Sequence, residues 1–202
     1  MCDSDNIIKN DIDDTLEKRL ETVFKNINDW LKFAEQKNGA LLVLNVGIVW
    51  GMTRIVSKAE NIIYAIYVIN VLGYIFIVLS AIICLFSFFP ILTNQSFKIS
   101  KLKKSYKDHS LFIMEQSDKD NSLYFGDISK YKDSEYLRLI SKKLGIKKTY
   151  TDFEKDYANQ IINNSKIAAK KYKLFRYASI LTAFGILFFS VSILTQLVIE
   201  KI

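Results

Sequence analysis

Residues 62–92 read IIYAIYVINVLGYIFIVLSAIICLFSFFPIL and contain no charged side chain; the nearest charges are Glu60 and Lys98. A helix needs about 20 mostly apolar residues to cross a hydrocarbon core about 30 Å thick. This segment is longer, with residues left over for tilt. Pro90 is a natural stop, because proline lacks an amide donor and clashes with the preceding helical turn. The segment therefore predicts a transmembrane helix.

Two other segments are apolar enough to be spans, residues 39–56 and 174–199. The first is the weaker, and its Gly47 and Gly51 are spaced to let another helix approach closely. We therefore expect a homo-oligomer in membrane lipid. Asn45, and Asn70 in residues 62–92, would each be an amide in hydrocarbon. Each is expected to find an interhelical hydrogen-bond partner, and lining a polar path is the alternative.

The net charge of +7 is unevenly distributed. Residues 94–176 hold 19 Lys and Arg against 10 Asp and Glu, whereas residues 1–38 hold 6 against 9. Positive residues near span ends stay on the cytoplasmic side. This predicts a cytoplasmic N-terminus and a cytoplasmic segment between the second and third spans. Binding to anionic lipid, to a nucleotide or to nucleic acid would also account for the basic excess.

The regions outside the spans are predicted to be mainly helical. Residues 1–38 have apolar side chains three and four apart, which is typical of an amphipathic helix that continues into the first span. Residues 151–173 begin with a capping box, Thr151 and Glu154, and continue into the third span. Residues 94–150 form an insert with a short helix that ends at Gly145. Its apolar clusters at residues 110–116 and 122–128 are predicted to be short strands or loop segments.

These patterns predict an all-α membrane protein with three transmembrane helices, at residues 39–56, 62–92 and 174–199. Two of them extend into long cytoplasmic helices at residues 1–38 and 151–173. A small, mostly helical cytoplasmic insert occupies residues 94–150.

Catalytic chemistry is not indicated. The two cysteines, Cys2 and Cys84, are far apart in the chain, and neither has the spacing of a zinc site. His109 is the single histidine, and no nucleophile–base pair or phosphate-binding glycine loop accompanies it. We therefore expect no catalytic residue, no metal and no cofactor, and an enzyme is the least expected class.

Three stretches carry a resemblance to a known family. They are WLKFAEQKNGALLVLN (residues 30–45), NSLYFGDIS followed by SEYL (121–129 and 134–137), and QIINNSKIAAKKYKLFR (160–176). In order and spacing they resemble the transmembrane effectors of the bacterial Pycsar anti-phage system, over a region from about residue 25 to the end. Two positions depart from the family pattern: Glu35, where aspartate is more usual, and Tyr124, where phenylalanine is expected.

The resemblance implies a dormant multi-pass effector of the bacterial inner membrane. A partner cyclase would make a cyclic pyrimidine mononucleotide, cUMP or cCMP, and the effector would bind it and impair the membrane in abortive infection. Nucleic acid is not an expected partner. Two other classes remain as alternatives: a ligand-independent, holin-like pore, and a membrane-tethered nucleic-acid binder.

A cyclic nucleotide requires a cation for its phosphate and an aromatic ring for its base. The insert supplies both, and Gly126 would allow the backbone to approach a ligand. The candidate ligand-binding residues are Tyr124, Phe125, Gly126, Lys130, Tyr136 and Arg138, with further cations at Lys101, Lys103 and Lys104. The alternative is that Leu123, Tyr124 and Phe125 form the small core of the insert.

A second set of candidates lies at the predicted cytoplasmic membrane boundary. It comprises Glu35, Lys37, Lys171 and Tyr172, and we interpret it as a switch at the membrane interface. Glu35 and Lys37 would hold the resting state, with an ion pair to Lys170 or Lys171 from Glu35. Solvated surface charge is the alternative.

Overall fold

The structure of the chain, a computed structural model, describes residues 2–57, 63–89, 116–117, 119–146 and 149–199, with residues 2–14 by their backbone alone. Five helices occur in these ranges: α1 Cys2–Val56, α2 Tyr64–Phe88, α3 Phe125–Ile128, α4 Asp133–Leu144 and α5 Asp152–Ile199. No strand is found in the described part of the chain, which confirms the all-α class. Residues 125–128, predicted as strand or loop, instead form a single helical turn.

The chain divides into two compact units. The first unit comprises Met1–Lys32 and Pro90–Ala169, and the second comprises Phe33–Phe89 and Lys170–Ile202. Helices α1 and α5 therefore contribute residues to both units, whereas α2 belongs to the second and α3 and α4 to the first.

The long helices follow from the regular spacing of their buried side chains. Buried residues on α1 recur three, four or seven positions apart: Leu16, Leu20, Val23, Ile27, Ala34, Asn38, Asn45 and Met52. This spacing keeps one face of a helix against its neighbours over many turns. In the first unit the buried residues of this face are aliphatic, whereas from Asn38 onward two of its three buried residues are amides. The single long helix predicted through the first apolar segment is confirmed.

Local signals set the ends of the helices in the first unit. Helix α4 ends at Gly145, whose φ of 70° lies in the left-handed region that favours glycine. At the start of α5 the Thr151 amide donates to Glu154 Oε2 at 2.8 Å, and the Glu154 amide donates to Thr151 Oγ1 at 3.2 Å. The predicted capping box is therefore present.

Of the five helices in the described ranges, three are long and apolar enough to cross a membrane: α1, α2 and α5. Helix α2 has 25 residues, or about 37 Å at 1.5 Å per residue, which exceeds a hydrocarbon core of about 30 Å. The predicted Pro90 stop and the residues that connect α2 to the insert lie outside the described residues, as do Lys101, Lys103 and Lys104.

In the second unit α2 and α5 pack closely where both carry glycine. A Cβ added at Gly185 would lie 2.5 Å from Ile77 and 3.2 Å from the Gly73 carbonyl oxygen. A Cβ at Gly73 would lie 2.8 Å from the Phe189 ring. This is the approach that small residues permit between membrane helices.

Candidate functional site

The insert has a core of its own, built from α3, α4 and the loop that precedes them. Phe125 and Tyr136 are buried in it, and the Tyr136 hydroxyl donates to the Ser122 carbonyl oxygen at 2.9 Å. The Trp30 ring of α1 lies 5.6 Å from the Phe125 ring, and Asn26 of α1 donates to the Leu123 carbonyl. Two of the six predicted ligand residues, Phe125 and Tyr136, are thus core residues of the first unit.

The Lys130 ammonium lies between two carboxylates. It is 2.7 Å from Asp127 and 3.2 Å from Asp120, and only 12% of its side chain is exposed. Its hydrogen bond to Asp127 raises the pKa of Lys130, with Asp120 adding to the effect and burial opposing it. A ligand phosphate would have to compete with both carboxylates for this cation.

Asp120 also positions Tyr131, one of the aromatic residues of the insert. The Tyr131 hydroxyl donates to Asp120 Oδ2 at 2.8 Å and to the Ser117 carbonyl at 3.1 Å. Burial, together with the hydrogen bond to Asp120, raises the pKa of Tyr131 to about 12. Burial opposes ionisation of Asp120, but hydrogen bonds from the Ser117 amide, Tyr131 and Lys130 outweigh it and lower its pKa. Asp127 precedes Lys130 by three residues, so the sequence alone could have suggested this ion pair. Asp120 lies ten residues before Lys130, and its contact could not be predicted from the spacing.

Tyr124, Gly126 and Arg138 are the remaining predicted ligand residues. Tyr124 is 44% exposed, and its ring lies 4.6 Å from the Phe125 ring. A Cβ at Gly126 would meet the Tyr124 ring at 2.5 Å, so the glycine makes room for this ring. Arg138 is exposed on α4. Tyr124 and Arg138 therefore keep side chains that a ligand can reach.

A groove between α1 and α5 in the first unit is also aromatic, but it is acidic. The Tyr157 ring packs edge to face against Phe24 at 5.5 Å and Phe153 at 5.4 Å. The carboxylates along the groove are Glu17, Glu21, Glu154 and Asp156, with Lys18 as the basic side chain in its lining. This electrostatic balance disfavours an anionic ligand.

At the predicted membrane boundary, Lys171 of α5 joins three helices. Its ammonium donates to Glu35 Oε1 of α1 at 2.9 Å and to the Ser87 carbonyl of α2 at 2.8 Å. The Lys171 side chain is 8% exposed and that of Glu35 is 47% exposed. Ser87 lies in the last turn of α2, where carbonyl groups lack helical partners and a positive charge is stabilising.

Lys37 is held differently. Its ammonium lies 4.4 Å from the centre of the Phe33 ring and 5.6 Å from the rings of Tyr172 and Phe175. These distances are in the range of cation–π attraction. Of the four switch candidates, Glu35 and Lys171 form an ion pair, whereas the Lys37 ammonium lies over the Tyr172 ring.

Between the three apolar helices lies a hydrogen-bonded cluster of Asn45, Ser80 and Thr182. The Asn45 amide donates to Ser80 Oγ at 2.9 Å and accepts from Thr182 Oγ1 at 2.8 Å. Ser80 also donates to the Ala178 carbonyl at 2.8 Å. The partner expected for Asn45 is therefore present. Asn70 differs: it is 4% exposed, and its Oδ1 accepts no hydrogen bond within the described chain.

The arrangement offers binding and conformational chemistry. Within the ranges that the structure describes, no three His, Cys, Asp or Glu side chains are grouped to hold a metal ion. Acidic groups of the insert are engaged with Lys130 and Tyr131, and the apolar helices carry amides, hydroxyls and one buried ammonium.

Comparison with known proteins gave one result. A family model described as the Pycsar effector protein domain, PycTM, matches residues 19–196. No curated protein and no solved structure matched the chain. The matched residues include the three apolar helices and the insert, and the helices together with the family indicate a protein of the bacterial inner membrane. The chain thus belongs to the Pycsar effector family, whose members act in anti-phage defence.

Proposed function

We propose that this protein is a cyclic-nucleotide-activated effector that impairs the inner membrane and arrests growth in abortive infection. The family match over residues 19–196 carries the proposal, since Pycsar effectors imply a partner cyclase and a cyclic nucleotide signal. The proposal also specifies that the ligand is cUMP or cCMP, that the protein forms homo-oligomers in lipid and that the insert is cytoplasmic. Spans at residues 39–56, 62–92 and 174–199 belong to the same proposal.

The exposed side chains of the insert support a ligand site there. Tyr124 offers an aromatic face that is seated over Gly126, and Arg138 offers a planar cation suited to a phosphate. The buried Phe125 ring packs against the Tyr124 ring, and Lys130 fixes the loop through Asp120 and Asp127. In this proposal Tyr124 stacks on the base and Arg138 binds the phosphate.

Thermal unfolding of the purified protein with cyclic nucleotides tests the ligand. We expect cUMP or cCMP to raise the melting temperature and the linear nucleotides UMP and CMP to leave it unchanged, because bound ligand stabilises the folded state by mass action. Tyr124→Ala and Arg138→Ala should each raise about tenfold the ligand concentration that is needed for the same shift in melting temperature.

Phe153→Ala is the matched control for the site. Phe153 is also an exposed aromatic residue of the first unit, 59% exposed, but it lies in the acidic groove. It should leave binding unchanged. If Phe153→Ala abolishes the shift and Tyr124→Ala does not, the insert site is wrong.

Removal of residues 98–148 distinguishes the signal-controlled effector from a holin-like pore. We expect this variant to be inert when it is expressed with the partner cyclase. Undiminished toxicity without the cyclase would favour the ligand-independent alternative.

A further inference from the structure

The buried face of α2 is made mainly of small and polar residues. Its members are Ile66, Asn70, Gly73, Ile77, Ser80, Cys84 and Ser87. The opposite surface of the helix is apolar, with large exposed side chains such as Val71, Ile75 and Val78. This polarity suits a helix with lipid on one side and polar groups on the other.

Several buried polar atoms of the second unit lack a hydrogen-bond partner among the described residues, and they include Asn38 Oδ1, Asn70 Oδ1 and Ser87 Oγ. Their residues are 0%, 4% and 2% exposed. In hydrocarbon an unsatisfied polar group is costly, because no water is there to pair with it. The second unit therefore contains buried polar groups whose hydrogen-bonding capacity its own packing leaves unused.

These groups extend along most of a membrane thickness. From Asn70 to Ser87 the rise of α2 is about 25 Å, against a hydrocarbon core of about 30 Å. Between them lies the Asn45, Ser80 and Thr182 cluster, which adds polar atoms from α1 and α5. The buried polar groups of the three helices, from Asn70 through the Asn45, Ser80 and Thr182 cluster to Ser87, thus form a series along the second unit, which we call the polar axis.

One apolar layer interrupts this axis. Met52, Ile77 and Phe189 are buried together, with 8%, 0% and 3% exposure, and Tyr74 packs against Phe189. Ile77 lies three residues from Ser80 and seven from Asn70 along α2. A constriction lined by such side chains excludes water and blocks ions.

We infer that in the active state these polar faces line a water-filled pore for small hydrated ions, and that Met52, Ile77 and Phe189 are its gate. Packed helices lie about 8–10 Å apart, so three of them enclose no hydrated channel. The conducting form therefore contains helices from more than one copy of the chain. In that state Asn38, Asn70 and Ser87 gain water as a partner. The inference rests on the proposed membrane impairment and specifies its form.

Potassium release from liposomes that contain the purified protein tests the gate. Ile77→Ser should conduct without any nucleotide, with release about tenfold faster than for the unsubstituted protein, because a hydroxyl in the apolar layer admits water. Leu85→Ser is the matched control: it makes the same type of change on α2 at a side chain that is 50% exposed. It should leave release unchanged. Met52→Ser repeats the gate test from α1 should Ile77→Ser not fold.

A second measurement identifies the lining. Asn70→Asp, combined with Ile77→Ser, should raise the permeability ratio of K⁺ to Cl⁻ about fivefold, because a carboxylate in a pore wall favours cations. A merely structural Asn70 would alter the amount of folded protein without changing this ratio.

The outcomes separate the two proposals. Equal leakage from Ile77→Ser and Leu85→Ser, an unchanged K⁺ to Cl⁻ ratio, or release of a large dextran together with K⁺ overturns the gated pore. Nucleotide-dependent growth arrest with any of those results leaves the proposed function intact. Conduction by Ile77→Ser in a protein that ignores every cyclic nucleotide supports the pore and contradicts the proposed activation.

Discussion

At the scale of single residues, Lys171 connects three helices of the second unit. Helix α2 has no basic residue in its last turn, so the cation that stabilises its end is supplied by α5. The same ammonium pairs with Glu35 of α1. One buried charge thus satisfies groups on two other helices, which makes its removal more costly than the loss of an ordinary surface ion pair.

Lys171→Met is therefore expected to lower the free energy of unfolding by about 2–3 kcal/mol, since it leaves the Ser87 carbonyl and Glu35 unpaired. Glu35→Gln should cost less than about 1 kcal/mol, because Glu35 is half exposed and water replaces its partner. Thermal unfolding in lipid nanodiscs measures both. The exposed neighbour Lys170, changed to Met, is the control. Equal losses for Lys170→Met and Lys171→Met would contradict the three-helix role.

Because of Tyr131, the stability of the insert should depend on pH in the alkaline range. Its pKa is about 12 in the folded protein, against an ordinary value of 10.0. Between these values the unfolded chain loses the phenolic proton while the folded chain retains it. The free energy of unfolding should therefore fall as pH rises from 10 to 12.

Tyr131→Phe should flatten this decrease without abolishing it, because burial also raises the pKa of Tyr136. Fluorescence of Trp30, which packs on Phe125, reports unfolding of the first unit once Trp50 is replaced by Phe. A slope between pH 10 and 12 that is the same in Tyr131→Phe and the parent would show that the Tyr131–Asp120 hydrogen bond contributes nothing.

At the scale of helices, two pairs of glycines differ in their surroundings: Gly73 and Gly185 pack within the chain, whereas Gly47 and Gly51 are open to contact with another chain. A Cβ at Gly185 meets Ile77 and the Gly73 carbonyl, whereas a Cβ at Gly47 or Gly51 meets nothing within 4 Å. Gly185→Ala should therefore force α2 and α5 apart and cost about 1–3 kcal/mol. Gly47→Ala should leave the stability of the monomer unchanged.

The same pair tests assembly. If copies associate through the Gly47 and Gly51 face, Gly47→Leu should reduce chemical crosslinking in membranes while Gly185→Ala reduces stability at every protein concentration. Crosslinking that is undiminished in Gly47→Leu would exclude that face from the contact between copies.

Particular helical features show which parts of the structure could be predicted. The capping box at Thr151 and the stop at Gly145 depend on neighbouring residues, so the sequence is sufficient to identify them. Asn45 was predicted to have an interhelical partner because an amide in hydrocarbon requires one. That Ser80 and Thr182 fill this role depends on helix register, which no local pattern specifies.

The candidate site was harder to predict for the same reason. Lys130 and Tyr136 have the residue types that a nucleotide site needs, but Lys130 is enclosed by Asp120 and Asp127, and Tyr136 is a core residue. Their environment depends on contacts between loop, α3 and α4. The ion pair of Lys171 and Glu35 was among the expected contacts, whereas the Ser87 carbonyl that Lys171 also binds required the position of the α2 end.

At the scale of the whole molecule, the charge distribution makes orientation a measurable property. Residues 94–176 carry nearly twice as many basic as acidic side chains, which predicts a cytoplasmic position for the insert. The end of α1 and the start of α2 should then face the opposite side. The two sides can be distinguished with a membrane-impermeant maleimide, because the chain has only Cys2 and Cys84 to remove.

In a Cys2→Ser, Cys84→Ala background, Ser57→Cys should be labelled in intact spheroplasts, because Ser57 directly follows α1 and is exposed. Ser134→Cys, exposed on α4 in the insert, should be labelled only after permeabilisation. Full labelling of both after permeabilisation is the control for reactivity. Labelling of Ser134→Cys in intact spheroplasts would place the insert outside the cell, where a nucleotide made by a cytoplasmic cyclase could not reach it.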